Sequence, residues 1–438
     1  MSATRRDFLK GSLGAATLLA MGPTVPSFLS RTARAATARR DAGENILVVV
    51  QLAGGNDGLN TVVPHADDHY ARNRRTLRLP ADKLHKIDAS LGFHPEMAAM
   101  WRLYKEGCLS VVQGVGYPNP SQSHFTSMRT WQTARPEEPN CQSGWLGRAV
   151  DRACRADEPD VPAVFVGQIN QPFAVHAEQA VVPSIRSLAE YTLQGPPGPD
   201  GPEHRRRLVQ LAERVPGERG GLLDFLQRST LAAYASSRQI EAVSGEGDSP
   251  ISGPTLRVPA RKSGQSPRSA EYPPMQLARM FCIIAQLIRA EVGIRIYYTE
   301  LGGEEPGGFD NHANQRDNHA ALLRQLSDSV AAFVLDLRRD RLLHRVLLMT
   351  FSEFGRTLAE NGRRGTDHGS AAPMFLAGGK LKGGLVGPHP SLTALENGGP
   401  KHHTDFRRVY ATVLDRWLGL DSQAVLGGKF EPLDLLQV

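Results

Sequence analysis

Carboxylates, imidazoles and an arginine recur in this 438-residue chain just beyond short apolar runs. Ile46–Leu52 runs into Gly54-Gly55-Asn56-Asp57, and Ile294–Thr299 leads through a glycine-rich loop to Phe309-Asp310-Asn311-His312. Val346–Phe351 stops at Ser352-Glu353-Phe354-Gly355-Arg356-Thr357, and Thr366-Asp367-His368-Gly369 follows shortly after. Such groups, delivered to one place by distant segments, are the raw material of a metal centre or an acid–base pair. Asp310 and His312, two apart in a loop, can both turn toward one cation. Glu353 at a run's end, with Asp367-His368 before the next run, is a specific arrangement of the same kind. Arg356 can grip an anionic group bidentately, or simply pair with Glu353 or Asp367. Asp57 is a ligand candidate whose bland alternative is a turn or capping aspartate beside glycine.

A nucleophile is sought in Ser121-Gln122-Ser123-His124, beyond the run Leu109–Val115. Ser121 or Ser123, with a histidine beside it, fits a nucleophile, a ligand, or the cap of a helix around Phe125–Ala134. No Gly-x-Ser-x-Gly elbow occurs here, which argues against an ordinary α/β hydrolase. The glycines at 54–58 carry neither a GxGxxG pattern nor a Walker lysine, so they are not a phosphate loop. His94 and His402-His403-Thr404-Asp405 are peripheral candidates.

The elements that must position these residues follow from the apolar pattern. Strands are predicted at Ile46–Leu52, Leu109–Val115, Ala163–Val166, Gly293–Tyr298, Val346–Phe351 and Met374–Ala377. Helices are predicted at Pro95–Lys105, Met275–Ala290, Asn318–Arg339 and Asp405–Leu418. Leu322, Leu326, Val330, Phe333 and Leu337 form a core-facing stripe on the third of these. Alternating strands and helices imply an α/β fold, a mostly parallel sheet flanked by helices on both faces. Ligands in such sheets collect beyond the carboxyl ends of the strands. Leu193–Pro216 and Val243–Pro274, dense in Pro, Gly and Ser, read as irregular insertions at about 190–274 into one domain spanning 36–438. Leu222–Ile240 between them reads as a helical excursion.

The N-terminus reads as an address. Arg5-Arg6-Asp7-Phe8-Leu9-Lys10 is a twin-arginine pattern, a mildly apolar stretch follows, and Ala33-Arg34-Ala35 supplies small residues for cleavage. Gly22, Pro23 and Pro26 interrupt that stretch well short of a membrane span, and no second run approaches one. The expectation is a leader at 1–35, recognised by the twin-arginine translocation machinery, and a periplasmic or secreted product. The formal net charge of +6 is partly the leader's, because residues 1–35 carry five basic residues and one acidic. The remainder holds 46 basic and 44 acidic residues, a net of +2, which lacks the footprint of a nucleic-acid binder. The four cysteines show no metal-ligand spacing; Cys141 and Cys154 are the nearest pair for a disulfide, and Cys108 and Cys282 sit in apolar surroundings.

Taken together, the motifs resemble one exported family. They are the twin-arginine start, Gly-Gly-Asn-Asp-Gly-Leu-Asn at 54–60, Gly92-Phe93-His94-Pro95 and Ser123-His124-Phe125. Phe309-Asp310-Asn311-His312, Ser352–Thr357, Thr366–Gly369 and Asp405-Phe406-Arg407 complete the set. The chain resembles the family catalogued as domain of unknown function 1501 over nearly the whole length beyond the leader. That family is similar in layout to the alkaline phosphatase and sulfatase superfamily, with metal ligands at strand ends and a Ser, Thr or formylglycine nucleophile. The resemblance implies Asp57, Asp310, His312, Glu353 and His368 as metal ligands, with Asp367 beside them, and Ser121 or Ser123 at the nucleophile's place. The expected cofactor is a divalent metal ion (zinc, calcium, magnesium or manganese). The expected activity is exported, metal-dependent hydrolysis of phosphate or sulfate esters. The alternative is a non-catalytic exported binding or scaffold protein with a degenerate or structural metal site, which binds a polymer or an exported partner protein rather than turning over an anionic ester.

Overall fold

The computed structural model describes residues 45–153, 163–168, 170–180, 182–187, 256–258, 270–302 and 308–437. The expected leader, the helical excursion at 222–240 and most of the insertion at 190–274 lie outside the described residues.

A nine-stranded sheet organises the chain. Its strands are β1 Ile46–Leu52, β2 Leu109–Gly116, β3 Ala163–Val166 and β4 Ser184–Ile185. They continue with β5 Ile296–Leu301, β6 Val346–Phe351, β7 Ala372–Gly378, β8 Gly384–Val386 and β9 Thr404–Asp405. The order is β8-β2-β7-β6-β1-β5-β3-β4, with β9 also beside β2. All seven residues of β1 are buried, as a central strand covered on both faces requires. The alternation is visible in the packing. Ile46, Val48, Val50 and Leu52 join one core, and Leu47 and Val49 join the other.

The first core lies under α1 Ala98–Lys105, α4 Gln276–Arg289 and α5 Gln315–Arg339. On α5, Leu326, Val330, Phe333 and Leu337 are buried there and Leu322 packs at its edge. Each fully buried side chain of this kind contributes roughly 1.5–3 kcal/mol. The opposite core takes residues from α2 His124–Thr133, α3 Trp145–Ala153 and α6 Phe406–Ala411. The last of these continues as a π-helical stretch over Thr412–Leu418.

The sheet is mostly parallel, as expected, with one reversal. β7 is antiparallel to both β6 and β2, while β1, β3, β4, β5, β6, β8 and β9 pair in parallel with their other neighbours. The chain returns from β6 to β7 through residues 352–371 with no crossover helix, and a parallel return needs one. The strand expected at Gly293–Tyr298 begins three residues later, because Gly293 takes φ of 77° in the turn before it. The expected partner of Cys141, Cys154, lies outside the described residues. Cys141 itself is a free, buried thiol whose Sγ donates to the Ser143 carbonyl. Among the described residues no helix is long and apolar enough to cross a membrane.

One consequence matters for chemistry. β1, β2, β5 and β6 all point their carboxyl ends at the same edge, so the loops at 53–57, 117–123, 308–314 and 352–371 meet there.

Candidate metal centre

The centre is built around Asp310. Its Oδ1 lies 3.1 Å from His312 Nε2 and 3.2 Å from His368 Nε2, and its Oδ2 lies 3.4 Å from His124 Nε2. The two imidazole nitrogens of His312 and His368 are 2.9 Å apart. One donor atom each from His124, Asp310 and His368 can be chosen so that all three lie within 4.8 Å of one another.

Each imidazole is held from behind. His312 Nδ1 is 3.0 Å from Asp367 Oδ1, His124 Nδ1 is 2.9 Å from Glu353 Oε1, and His368 Nδ1 is 2.6 Å from the Gln122 carbonyl. Carboxylate and carbonyl oxygens accept, so all three Nδ1 atoms donate, which leaves Nε2 of each neutral ring as a bare lone pair facing Asp310. Histidine ligands of metals are oriented in this way. Two lone pairs and a carboxylate oxygen about 3 Å apart repel one another unless positive charge lies among them. His124 Nε2 is moreover buried without a hydrogen-bond partner. The residues fit a cation.

Without a cation, protons on the rings supply that positive charge instead. The Asp310 carboxyl, which partial burial alone would raise, is held far below the usual carboxylate range by His124, His368 and Arg356. Without a cation, the Asp310 and Glu353 carboxylates push His124 up to about 9. Hydrogen bonds from Asn361 and His312 lower Asp367.

Local structure explains the placement. Gly54, with φ of 110°, lets the β1 loop pass against the 309–310 backbone, where a Cβ would come within 2.4 Å of the Asp310 nitrogen. Its N–H donates to Glu353 Oε1 at 2.8 Å. Asn361 Nδ2 bridges the His312 carbonyl and Asp367 Oδ1, so the turn before His368 is tied to the loop of His312. Phe354 is buried, and its ring stacks on His368 with centroids 4.5 Å apart, giving the centre an apolar wall.

Several expected site residues lie elsewhere or act at one remove. Asp57 does not reach the centre. It is 2 % exposed and accepts from both Nη atoms of Arg74 and from Gln315 Nε2. Burial pushes its carboxyl up, and Arg74 outweighs that to leave it lowered. Its acceptor lone pairs are spent on these donors. Glu353 and Asp367 face ring nitrogens rather than the donor cluster, because His124 and His312 stand between them and Asp310. Arg356 presents no free guanidinium to an anion. Its side chain is 0 % exposed and donates to the carbonyls of Gly54, Gly55, Phe309 and Thr366 and to Asp310 Oδ1.

Both serine oxygens accept from backbone amides. Ser121 Oγ accepts from the Ser123 N–H at 3.1 Å, and Ser123 Oγ caps α2 by accepting from the Thr126 N–H. His124 sits at the first position of α2, directly after that cap. In the sequence it stands only as the neighbour of two candidate serines, and the helix cap at Ser123 places it on the first turn. Gln122 and Asn361 carry no comparable signal, since one acts through its backbone carbonyl and the other is a single amide side chain in a turn.

Residues 44–430 match the family model described as "Protein of unknown function (DUF1501)". The chain belongs to this family. No curated protein matches the sequence of this DUF1501 member. Among solved structures it is similar to the PsFucS1 sulfatase from Pseudoalteromonas sp., at 10% identity and a TM-score of 0.37, covering 89% of this chain and 71% of that one. It is likewise similar to Ps i-CgsB in complex with k-i-k-neocarrahexaose, at 10% identity and a TM-score of 0.35, over 89% and 73% of the two chains. A third is the C-terminal periplasmic domain of EcEptC from Escherichia coli in complex with Zn, at 11% identity and a TM-score of 0.33, over 78% and 75%.

Proposed function

We propose that this DUF1501 protein is an exported, metal-dependent hydrolase of phosphate or sulfate esters, with His124, Asp310 and His368 as cation ligands and His312 alongside. The observation that carries the reading is the shared orientation of three imidazoles, each pinned at Nδ1 and turned by Nε2 toward one carboxylate. Three imidazoles and one carboxylate suit zinc or another imidazole-binding cation better than calcium or magnesium, which prefer oxygen ligands. A divalent cation bound there supplies Lewis-acid polarisation of an ester oxygen and acidifies water.

The chain's own residues do the rest. With a cation bound, Glu353, Asp367 and the Gln122 carbonyl accept the proton on each Nδ1 and so leave Nε2 to the centre. Arg356 fixes Asp310 against the 54–55 and 366 backbone, and Phe354 keeps water from one flank. The attacking group in this reading is water, because the Ser121 and Ser123 hydroxyls are engaged with backbone amides. Export is assigned to the twin-arginine machinery by the motif at Arg5-Arg6.

The test is a panel of phosphate and sulfate monoesters assayed with purified protein whose metal content is measured in parallel. Turnover together with about one divalent ion per chain supports the proposal, and Asp310→Asn should remove both. Protein without a divalent ion and without turnover overturns it. The engagement of both serine oxygens by backbone amides favours the second reading, a non-catalytic exported binder with a structural metal. That reading is supported if a bound ion raises the melting temperature while every ester stays intact.

A further inference from the structure

Four arginines collect on one flank of the metal centre. Arg363 and Arg364 lie in the turn before Asp367, and their carbonyls accept from the Asn314 and Gln315 N–H groups at 3.0 Å each. That places the turn directly over the segment that carries His312. Arg316, one residue further on, donates from Nη2 to the Thr76 carbonyl, which brings Arg75 to the same rim. Of the carboxylates on this loop, Glu360 is occupied by the Thr76 and Leu77 N–H groups and the Thr76 hydroxyl, and Asp367, which Arg363 helps to lower, is engaged by His312 and Asn361. Arg75, Arg316, Arg363 and Arg364 are all exposed, and among the described residues none of them has a carboxylate partner within 4.0 Å.

The other flank differs in kind. Phe125 follows His124, whose Nε2 faces Asp310 Oδ2, in α2, and is 78 % exposed. Guanidiniums without a carboxylate partner pair bidentately with tetrahedral oxyanions, and an exposed aromatic face offers an apolar platform for a ring. The near-neutral balance of the chain outside its leader leaves this rim as a local feature, too small for a nucleic-acid footprint.

We infer that the arginine rim and Phe125 form an extended subsite for an anionic polysaccharide. One ester of the polymer is presented at the metal centre, neighbouring sulfate or phosphate groups pair with the four arginines, and a sugar ring lies on Phe125. This rests on the hydrolase reading for its reacting ester but not for its binding. The test measures retention of the purified protein on immobilised dextran sulfate, with unmodified dextran and single-stranded DNA as comparison matrices and soluble polyphosphate as a competing eluent. The protein should be retained on dextran sulfate and released by salt. Arg75→Gln, Arg316→Gln, Arg363→Gln and Arg364→Gln combined should weaken binding at least tenfold at low salt. Metal content and turnover of a small ester should stay unchanged in that variant. Unaltered retention of the variant, no retention of the parent protein, or stronger retention on single-stranded DNA overturns the inference. Retention that depends on the arginines, in a protein that cleaves no ester, preserves the subsite and removes the hydrolase. Elution by polyphosphate at lower concentration than by soluble dextran sulfate assigns the rim to phosphate-bearing rather than sulfate-bearing chains.

Discussion

Glu353 Oε1 and His124 Nδ1 meet at 2.9 Å although they lie 229 positions apart in the chain, and the same carboxylate oxygen accepts the Gly54 N–H. One carboxylate thus couples the ends of β1 and β6 to a ring on α2. Replacing Glu353 by Gln keeps the Gly54 acceptor and removes the charge behind His124. Outer partners of this kind are typically worth about 10- to 100-fold in metal affinity. Titration with zinc should show that loss at little cost in melting temperature. Undiminished affinity would mean that Glu353 serves the fold alone.

Asp57 and Arg74 form a buried pair, and removing one partner leaves a charge uncompensated. Asp57→Asn should therefore cost about 3–5 kcal/mol of stability, read by denaturant unfolding. The metal bound per folded molecule should not change. An Asp57 variant of normal stability that has lost its cation would return this residue to the centre.

Arg356 holds four carbonyls and Asp310 with one planar group. A lysine has three donors on one nitrogen and cannot span them. Arg356→Lys should lower the melting temperature by several degrees and weaken cation binding together. Loss of ester binding at full stability and full metal content would instead make Arg356 an anion clamp.

The serines offer a sharper discrimination. Ser121→Ala should leave turnover within a few-fold of the parent value. Ser123→Ala should cost about 0.5–1 kcal/mol as a lost helix cap and otherwise behave alike. A fall of a thousandfold or more in kcat for either variant would restore a serine nucleophile.

Acid stability follows from two histidines outside the centre. His319 is buried, its Nε2 is 3.0 Å from Asn56 Oδ1, and its ring meets His94 edge-on. Burial lowers His319 to about 4 and, with His319 beside it, lowers His94 to about 3. Both fall below the ordinary value near 6.5, so the unfolded chain binds protons that the folded one refuses. Stability present above pH 6.5 should decline as pH falls toward 4, and His319→Gln should flatten that slope in urea titrations. A parent protein equally stable at pH 4.5 and 7 would refute the assignment.

Much of the layout was legible from local pattern. The apolar runs at 46–52, 163–166 and 346–351 formed strands over those same residues, because a strand buried on both faces needs an unbroken apolar stretch. The stripe on α5 packed as its spacing required. The reversal of β7 was hidden, since strand direction depends on the missing crossover and not on the strand's composition. The site divided along similar lines. Asp310, His312 and His368 come together as residue type and loop position suggested, whereas Asp57 was captured by Arg74, a residue 17 positions away whose direction no pattern reveals. An acid that faces the donor cluster and one that stands behind a ring look identical in sequence, which is why Glu353 and Asp367 were indistinguishable from Asp310.

The central claim is a single divalent cation held by imidazoles on Asp310, and X-ray absorption at the edge of the bound metal tests it most directly. About one ion per chain with scattering from at least two imidazoles, lost in His368→Ala, is the predicted result. A stoichiometric ion with an all-oxygen shell, or one that His368→Ala leaves untouched, would contradict it.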